Sequence, residues 1–145
     1  MTPREVDIRM LGADDTSVLA RVAEDVFDEA VSADLSAEFL ADPRHHLAVA
    51  LDGGEVVGFA SGVHYVHPDK PAELFINEVG VAPTHRRRGI ATRLLEVLLE
   101  RGRAVGCREA WVATEQDNDA AQALYSSVGG REEPAPSIHY SFELR

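Results

Sequence analysis

The stretch Val79-Gly-Val-Ala-Pro-Thr-His-Arg-Arg-Arg-Gly-Ile-Ala91 runs from the end of an apolar strand, through a basic turn holding Gly89, into a long amphipathic helix. A helix start leaves backbone N–H groups unpaired and carries the positive end of the helix dipole, so this junction can cradle an anion. Arg86, Arg87 and Arg88 add positive charge, and Gly89 and Ala91 remove side chains that would hold a diphosphate away from the backbone. Taken alone, Arg-x-x-Gly-x-Ala is a weak pattern, and a basic helix start with no ligand explains it equally well.

The elements that must position this turn are legible on either side of it. Glu5 to Leu11 alternates like a half-buried strand, and Asp14 to Ser17 offers helix caps. The spacing of Val18, Val22, Val26 and Phe27 predicts a first helix reaching about Ala30, followed by a short one over Leu35 to Leu40. His46 to Leu51 and Glu55 to Tyr65 read as a hairpin about Asp52-Gly53-Gly54. Two prolines make Val66 to Pro71 a loop before a strand over Glu73 to Val81. Ile90 to Ala104 is a helix stopped by Gly106, and Ala110 to Thr114 a strand in which Trp111 reads as core. Asp117 or Asn118 caps a helix to about Ser127, ended by Gly129-Gly130, and Ser137 to Leu144 is a last strand. The order is α/β, antiparallel in its first half, with a β-α-β unit in the middle.

At 145 residues, one domain over 1–145 is the expectation. With 25 acidic against 14 basic side chains the net charge is −11, which disfavours nucleic acid and favours a cationic small molecule. No apolar run approaches the roughly 20 residues that span a bilayer, the N-terminus does not read as a signal peptide, and the lone Cys107 forms no intrachain disulfide. These features point to the cytoplasm and away from membranes. His45, His46, His64 and His67 lack diagnostic metal spacing, so no metal is expected, and His85 reads as an exposed loop residue.

Arg86-x-x-Gly89-x-Ala91 after an apolar strand resembles the acyl-CoA signature of the GNAT superfamily of N-acetyltransferases. Asn118-x-x-Ala121-x-x-Leu124-Tyr125-x-x-x-Gly129 resembles the second signature, in the right order and with one helix and one strand between them. Gly130 departs from the large apolar residue usual there. The resemblance implies a single domain whose mixed sheet splays at the acetyl-CoA strand, with helices on both faces. Acetyl-CoA would be the cosubstrate, its pantetheine amides pairing with the Val79-Gly80-Val81 backbone. Its pyrophosphate would rest beside Arg86 on the N–H groups of Arg87, Arg88, Gly89, Ile90, Ala91 and Thr92. Asn118 would hold the pantetheine arm or order the following loop, and Tyr125 would protonate the departing thiolate, its other reading being a packing tyrosine.

Direct transfer needs a neutral amine, hence a base or a depressed amine pKa. Glu78 is the candidate, at a position where the superfamily usually has a bulge directing a carboxylate into the cleft; its bland reading is an exposed strand glutamate. Glu55 to Ala60, His67 to Val81 and His85 to Ala91 further resemble the small aminoglycoside 3-N-acetyltransferases. That resemblance implies a polycationic acceptor, acetylation of a 3-amine and antibiotic resistance. It also implies a homodimer paired through C-terminal strands and an acceptor pocket by Glu78 to which the C-terminal strand brings His139 and Tyr140, while the acidic balance independently offers Asp25, Asp28 and Asp117 among the surface acids to orient a polycation. Other amines (a polyamine, a metabolite or a protein lysine) and a non-catalytic acyl-CoA-binding module remain as alternatives.

Overall fold

A computed structural model of the chain describes residues 5–134 and 137–144. One five-stranded sheet, ordered β1-β2-β3-β4-β5, organises it. Strands β1 (Asp7–Met10), β2 (His45–Asp52), β3 (Glu55–His67) and β4 (Lys70–Val81) pair antiparallel, and β5 (Glu109–Trp111) lies parallel to β4. The crossover between β4 and β5 is helix α2 (Ile90–Ala104), the β-α-β unit that the sequence predicts.

Small residues fix where α2 sits. A Cβ on Gly58 would stand 3.2 Å from Leu94, and one on Gly62 3.6 Å from Leu98, so this row of β3 faces α2 and holds it close. Leu94, Leu95 and Leu98 fill the space without solvent exposure. The other face carries α1 (Ala33–Ala41), whose Phe39 stacks on His45, and the 22–31 segment, whose Phe27 stacks on Phe59 with ring centroids 3.9 Å apart. Helices therefore cover both faces of the mixed sheet, as expected.

Four sequence expectations are corrected. The first helix does not reach Ala30: a 3-10 helix covers Ala13–Ala20, and Arg21 turns extended. Backbone bonds explain the change, because Arg21 accepts from the Val56 N–H and the Ala23 N–H donates to Val56, so β3 captures the chain that helical periodicity would have coiled. Asp25 then adopts φ 60°, which ends any helical path. The loop expected over Val66 to Pro71 shrinks to the two-residue turn Pro68-Asp69, since β3 runs to His67 and β4 starts at the Lys70 opposite it, with Pro71 tolerated beside a register shift. Trp111 is not core: it is 42% exposed and tilts against Phe75. Ser137 to Leu144 is not a strand, since no ladder partner reaches it among the described residues, and Ile138, Tyr140, Phe142 and Leu144 lie exposed.

The strand expected over Ala110 to Thr114 is shorter, Glu109–Trp111, ending where its pairing with β4 ends, and the rest of the second half follows expectation. Asn118 caps α3 (Asp119–Ser127), its side-chain oxygen accepting from the Ala121 N–H at 3.0 Å. At the other end, Gly129 N–H donates to Ser126 O and Gly130 N–H to Tyr125 O, a Schellman closure. A Cβ on Gly130 would lie 2.8 Å from Tyr125 O, so this closure explains why glycine stands at 130.

Candidate active site

Strand β5 pairs with β4 only over Glu73–Phe75, opposite Glu109–Trp111. Beyond that the strands part, and the edge of β4 from Ile76 to Val81 opens on a cleft. One acceptor on this edge is engaged: Arg86 Nε donates to Val81 O at 3.3 Å.

A bulge determines which side chains face the cleft. In the β3–β4 ladder Ile76 pairs with Gly62 and Glu78 with Ser61, leaving Asn77 as the extra residue. Val79, paired with Ala60, and Val81, paired with Gly58, then continue the row that faces α2. Glu78 is displaced to the opposite row with Gly80, the face covered by the 22–31 segment. In an unbulged ladder, with Asn77 paired in turn, residue 78 would share the face of Ile76 and point toward α2.

The resulting cavity, about 350 Å³, is lined by Asp25, Val26, Asp28, Phe59, Asn77, Glu78, Val79, Gly80, Val81, Arg86 and Tyr125. Three carboxylates from two elements thus meet one tyrosine from α3. Glu78 is exposed at the mouth, and Tyr125 is half-buried. Burial pushes the Tyr125 phenol up from its ordinary value, so it remains a proton donor at neutral pH.

The turn after β4 continues the cleft. Arg87 (φ 62°) and Gly89 (φ 75°) are both left-handed, and Gly89 brings no side chain to the N-terminus of α2. No acidic residue occupies the first turn of α2, and a Cβ on Gly89 would meet nothing within 4 Å. The N–H groups at Ile90, Ala91 and Thr92 precede the first bond of the helix, Arg93 N–H to Gly89 O at 3.2 Å. Open space, orphan donors and neighbouring arginines suit a diphosphate, and the splayed β4 edge beside them suits an amide-bearing arm. Acetyl-CoA fits this donor set.

The sequence-predicted residues divide clearly. Glu78, Val79, Gly80, Val81, Arg86, Tyr125 and Asp28 share the cavity; Arg87, Arg88, Gly89, Ile90, Ala91 and Thr92 form the adjoining turn. Asn118 caps α3 rather than entering the cavity, which favours the ordering role over contact. Asp117, His139 and Tyr140 are exposed and do not line it. Asp25 also lines it, one of the acids that the charge balance offered for the acceptor without singling it out. Its position follows from a left-handed backbone turn that periodicity does not reveal. His85 is not a free loop residue either, since it pairs with Asp52 at 2.8 Å.

A splayed mixed sheet with a turn suited to an anion at its open strand fits an acyl-CoA type of site. The family model described as "Acetyltransferase (GNAT) family" matches residues 16–129, and the chain belongs to that family. It is 41% identical over 92 residues to the N-alpha-acetyltransferase RimI of Mycobacterium tuberculosis, covering 62% of this chain and 54% of that protein. It is 36% identical over 83 residues to the L-2,4-diaminobutyric acid acetyltransferase of Nocardia farcinica, covering 57% of this chain and 42% of that protein. The chain therefore spans about half the length of these curated relatives. Among solved structures it is similar to the aminoglycoside acetyltransferase HMB0005 from an uncultured soil metagenomic sample. There the TM-score is 0.79 and the identity 28%, covering 98% of this chain and 100% of that one.

Proposed function

We propose that the chain is an acetyl-CoA-dependent N-acetyltransferase whose acceptor is a polycationic amine, an aminoglycoside acetylated at its 3-amine. The observation that carries this reading is the Asn77 bulge, which sets Glu78 in one cavity with Asp25, Asp28 and Tyr125 beside the diphosphate-binding turn. Three carboxylates attract and orient an acceptor bearing several ammonium groups. Glu78 takes the proton from the attacking nitrogen, directly or through one water. The nitrogen's lone pair forms the new C–N bond at the thioester carbonyl, the C–S bond breaks, and Tyr125 returns a proton to the leaving sulfur. The β4 edge and the 86–92 turn hold the cosubstrate so that its thioester lies near Glu78.

The likeness to the soil aminoglycoside acetyltransferase supports an aminoglycoside, and with it antibiotic resistance. The RimI and diaminobutyric acid relatives favour a second reading, in which the acceptor is a peptide or amino-acid amine. Thiol release from acetyl-CoA, followed across gentamicin, sisomicin, kanamycin, spermidine, diaminobutyrate and a short peptide, separates the two. Product NMR then locates the acetyl group. Turnover confined to gentamicin-type compounds at the 3-amine supports the first reading; turnover on the small amine or peptide alone replaces it with the second.

A homodimer belongs to the same proposal. Ile138, Tyr140, Phe142 and Leu144 alternate along 137–144 at 74% exposure or more, the pattern of a strand suited to a partner. Pairing of this segment between copies would cover these side chains and carry His139 and Tyr140 away from open solvent. Among the described residues no helix is long and apolar enough to cross a membrane. An enzyme working on acetyl-CoA is proposed for the cytoplasm, where that cosubstrate is available.

A further inference from the structure

We infer that Asp52 and His85 form a clamp that positions the diphosphate-binding turn, so that both are positioning residues for acetyl-CoA although neither lines the cavity. The inference rests on the reading of 86–92 as the cosubstrate's pyrophosphate site.

Asp52 ends β2 and enters the Asp52-Gly53-Gly54-Glu55 hairpin turn, where Gly53 (φ 58°) and Gly54 (φ 84°) take the left-handed angles of a tight type I′ turn. It is a rigid anchor. His85 ends the short 3-10 turn Pro83–His85 that follows β4, one residue before Arg86. Its Nε2 lies 2.8 Å from Asp52 Oδ2, and its Nδ1 lies 2.8 Å from Thr84 Oγ1. The two side chains are 15% and 27% exposed, so solvent competes weakly for the pair. The imidazole is therefore held at both nitrogens: Nε2–H donates to the carboxylate, and Nδ1 meets a hydroxyl.

The location of this contact gives it its consequence. The chain leaves the sheet at Ala82, whose N–H donates to Val57 O at 2.8 Å, and enters α2 with Arg93 N–H to Gly89 O at 3.2 Å. Between these points lie the left-handed Arg87 and Gly89. A segment with two such residues in three has several accessible paths, and only some direct the Ile90, Ala91 and Thr92 N–H groups together at one diphosphate. Tying His85 to the neighbouring hairpin fixes the entry to the segment and reduces those paths before the ligand arrives.

The test is binding of CoA and of pantetheine, measured by calorimetry for the wild-type chain, Asp52→Ala, His85→Ala and the double variant. No acceptor is needed, so the outcome is independent of which amine is acetylated. Each single variant is expected to weaken CoA binding about tenfold and to leave pantetheine, which lacks the diphosphate, unchanged. The double variant is expected to fall no further than the singles, because either substitution opens the same clamp. Unaltered CoA affinity, an equal loss for pantetheine, or independent losses that multiply in the double variant would each overturn the clamp. A wild-type chain that binds CoA no more tightly than pantetheine would instead overturn the pyrophosphate reading beneath it. Asp52→Ala lies at a hairpin end rather than in the core, and it supplies the test should His85→Ala fail to fold.

Discussion

Gly80 and Val26 approach so closely that a Cβ on Gly80 would stand 2.5 Å from the Val26 carbonyl oxygen and 2.9 Å from the Phe59 ring. This closeness lets the 22–31 segment lie on β4 and brings Asp25 and Asp28 into the cavity with Glu78. Gly80→Ala is therefore expected to push that segment outward. A stability loss of about 1–3 kcal/mol should appear in urea unfolding, together with a raised KM for the amine. An unchanged acceptor KM would show that the segment does not form the acceptor wall.

Glu78→Gln keeps the shape of the side chain and removes its basicity. Turnover should fall about 10²-fold or more while CoA binding is retained. Tyr125→Phe should cost less, about tenfold, because a thiol with an ordinary pKa of about 8.5 leaves without much help. Steady-state rates paired with CoA titration measure both. Equal loss of turnover and CoA affinity in Glu78→Gln would mean that the residue shapes the cosubstrate site.

Stability should depend on a histidine pair outside the cavity lining. His46 is buried on β2, with Nε2 2.6 Å from His64 Nδ1, and burial, reinforced by the nearby charges of His64, Arg101 and His45, lowers its pKa from 6.5 to about 4. Between these values the unfolded chain holds a proton that the folded chain lacks. Stability is then full above about pH 6.5, falls as pH drops through the window and levels off below about pH 4. Urea unfolding at pH 7.5 and 4.5 should differ by about 2–3 kcal/mol from this group, and His46→Gln should remove most of that difference.

Replacing Ile138 and Phe142 together by Lys is expected to leave the fold of residues 5–134 intact, since both side chains are exposed. It should convert a dimer to a monomer in light scattering. If the wild-type chain is already monomeric at micromolar concentration, the proposed pairing through 137–144 is wrong.

Local chemistry made much of this protein readable from its residues. The Asp52-Gly53-Gly54 turn, the span of α2, the Asn118 cap and the glycine stop after α3 depend on contacts only a few positions apart. The two signatures flanking β5 are readable for the same reason. What failed was decided by partners distant in sequence. Val18, Val22 and Val26 have helical spacing, yet Val56 on β3 captures the backbone at Arg21 and Ala23 and straightens it. Ser137 to Leu144 alternates as a strand should, but a strand exists only where an edge receives it. The Asn77 bulge appears only in the register against Gly62 and Ser61. Asp25, Glu78 and Tyr125 lie on three elements remote in sequence, and it took the close approach of Val26 to Gly80 to place them around one cavity. Sequence by itself determined the chemical kinds of group and a helix start suited to an anion, because those follow from near neighbours. Tertiary structure decided which carboxylates meet and which histidine is tethered, because such contacts depend on how distant segments pack.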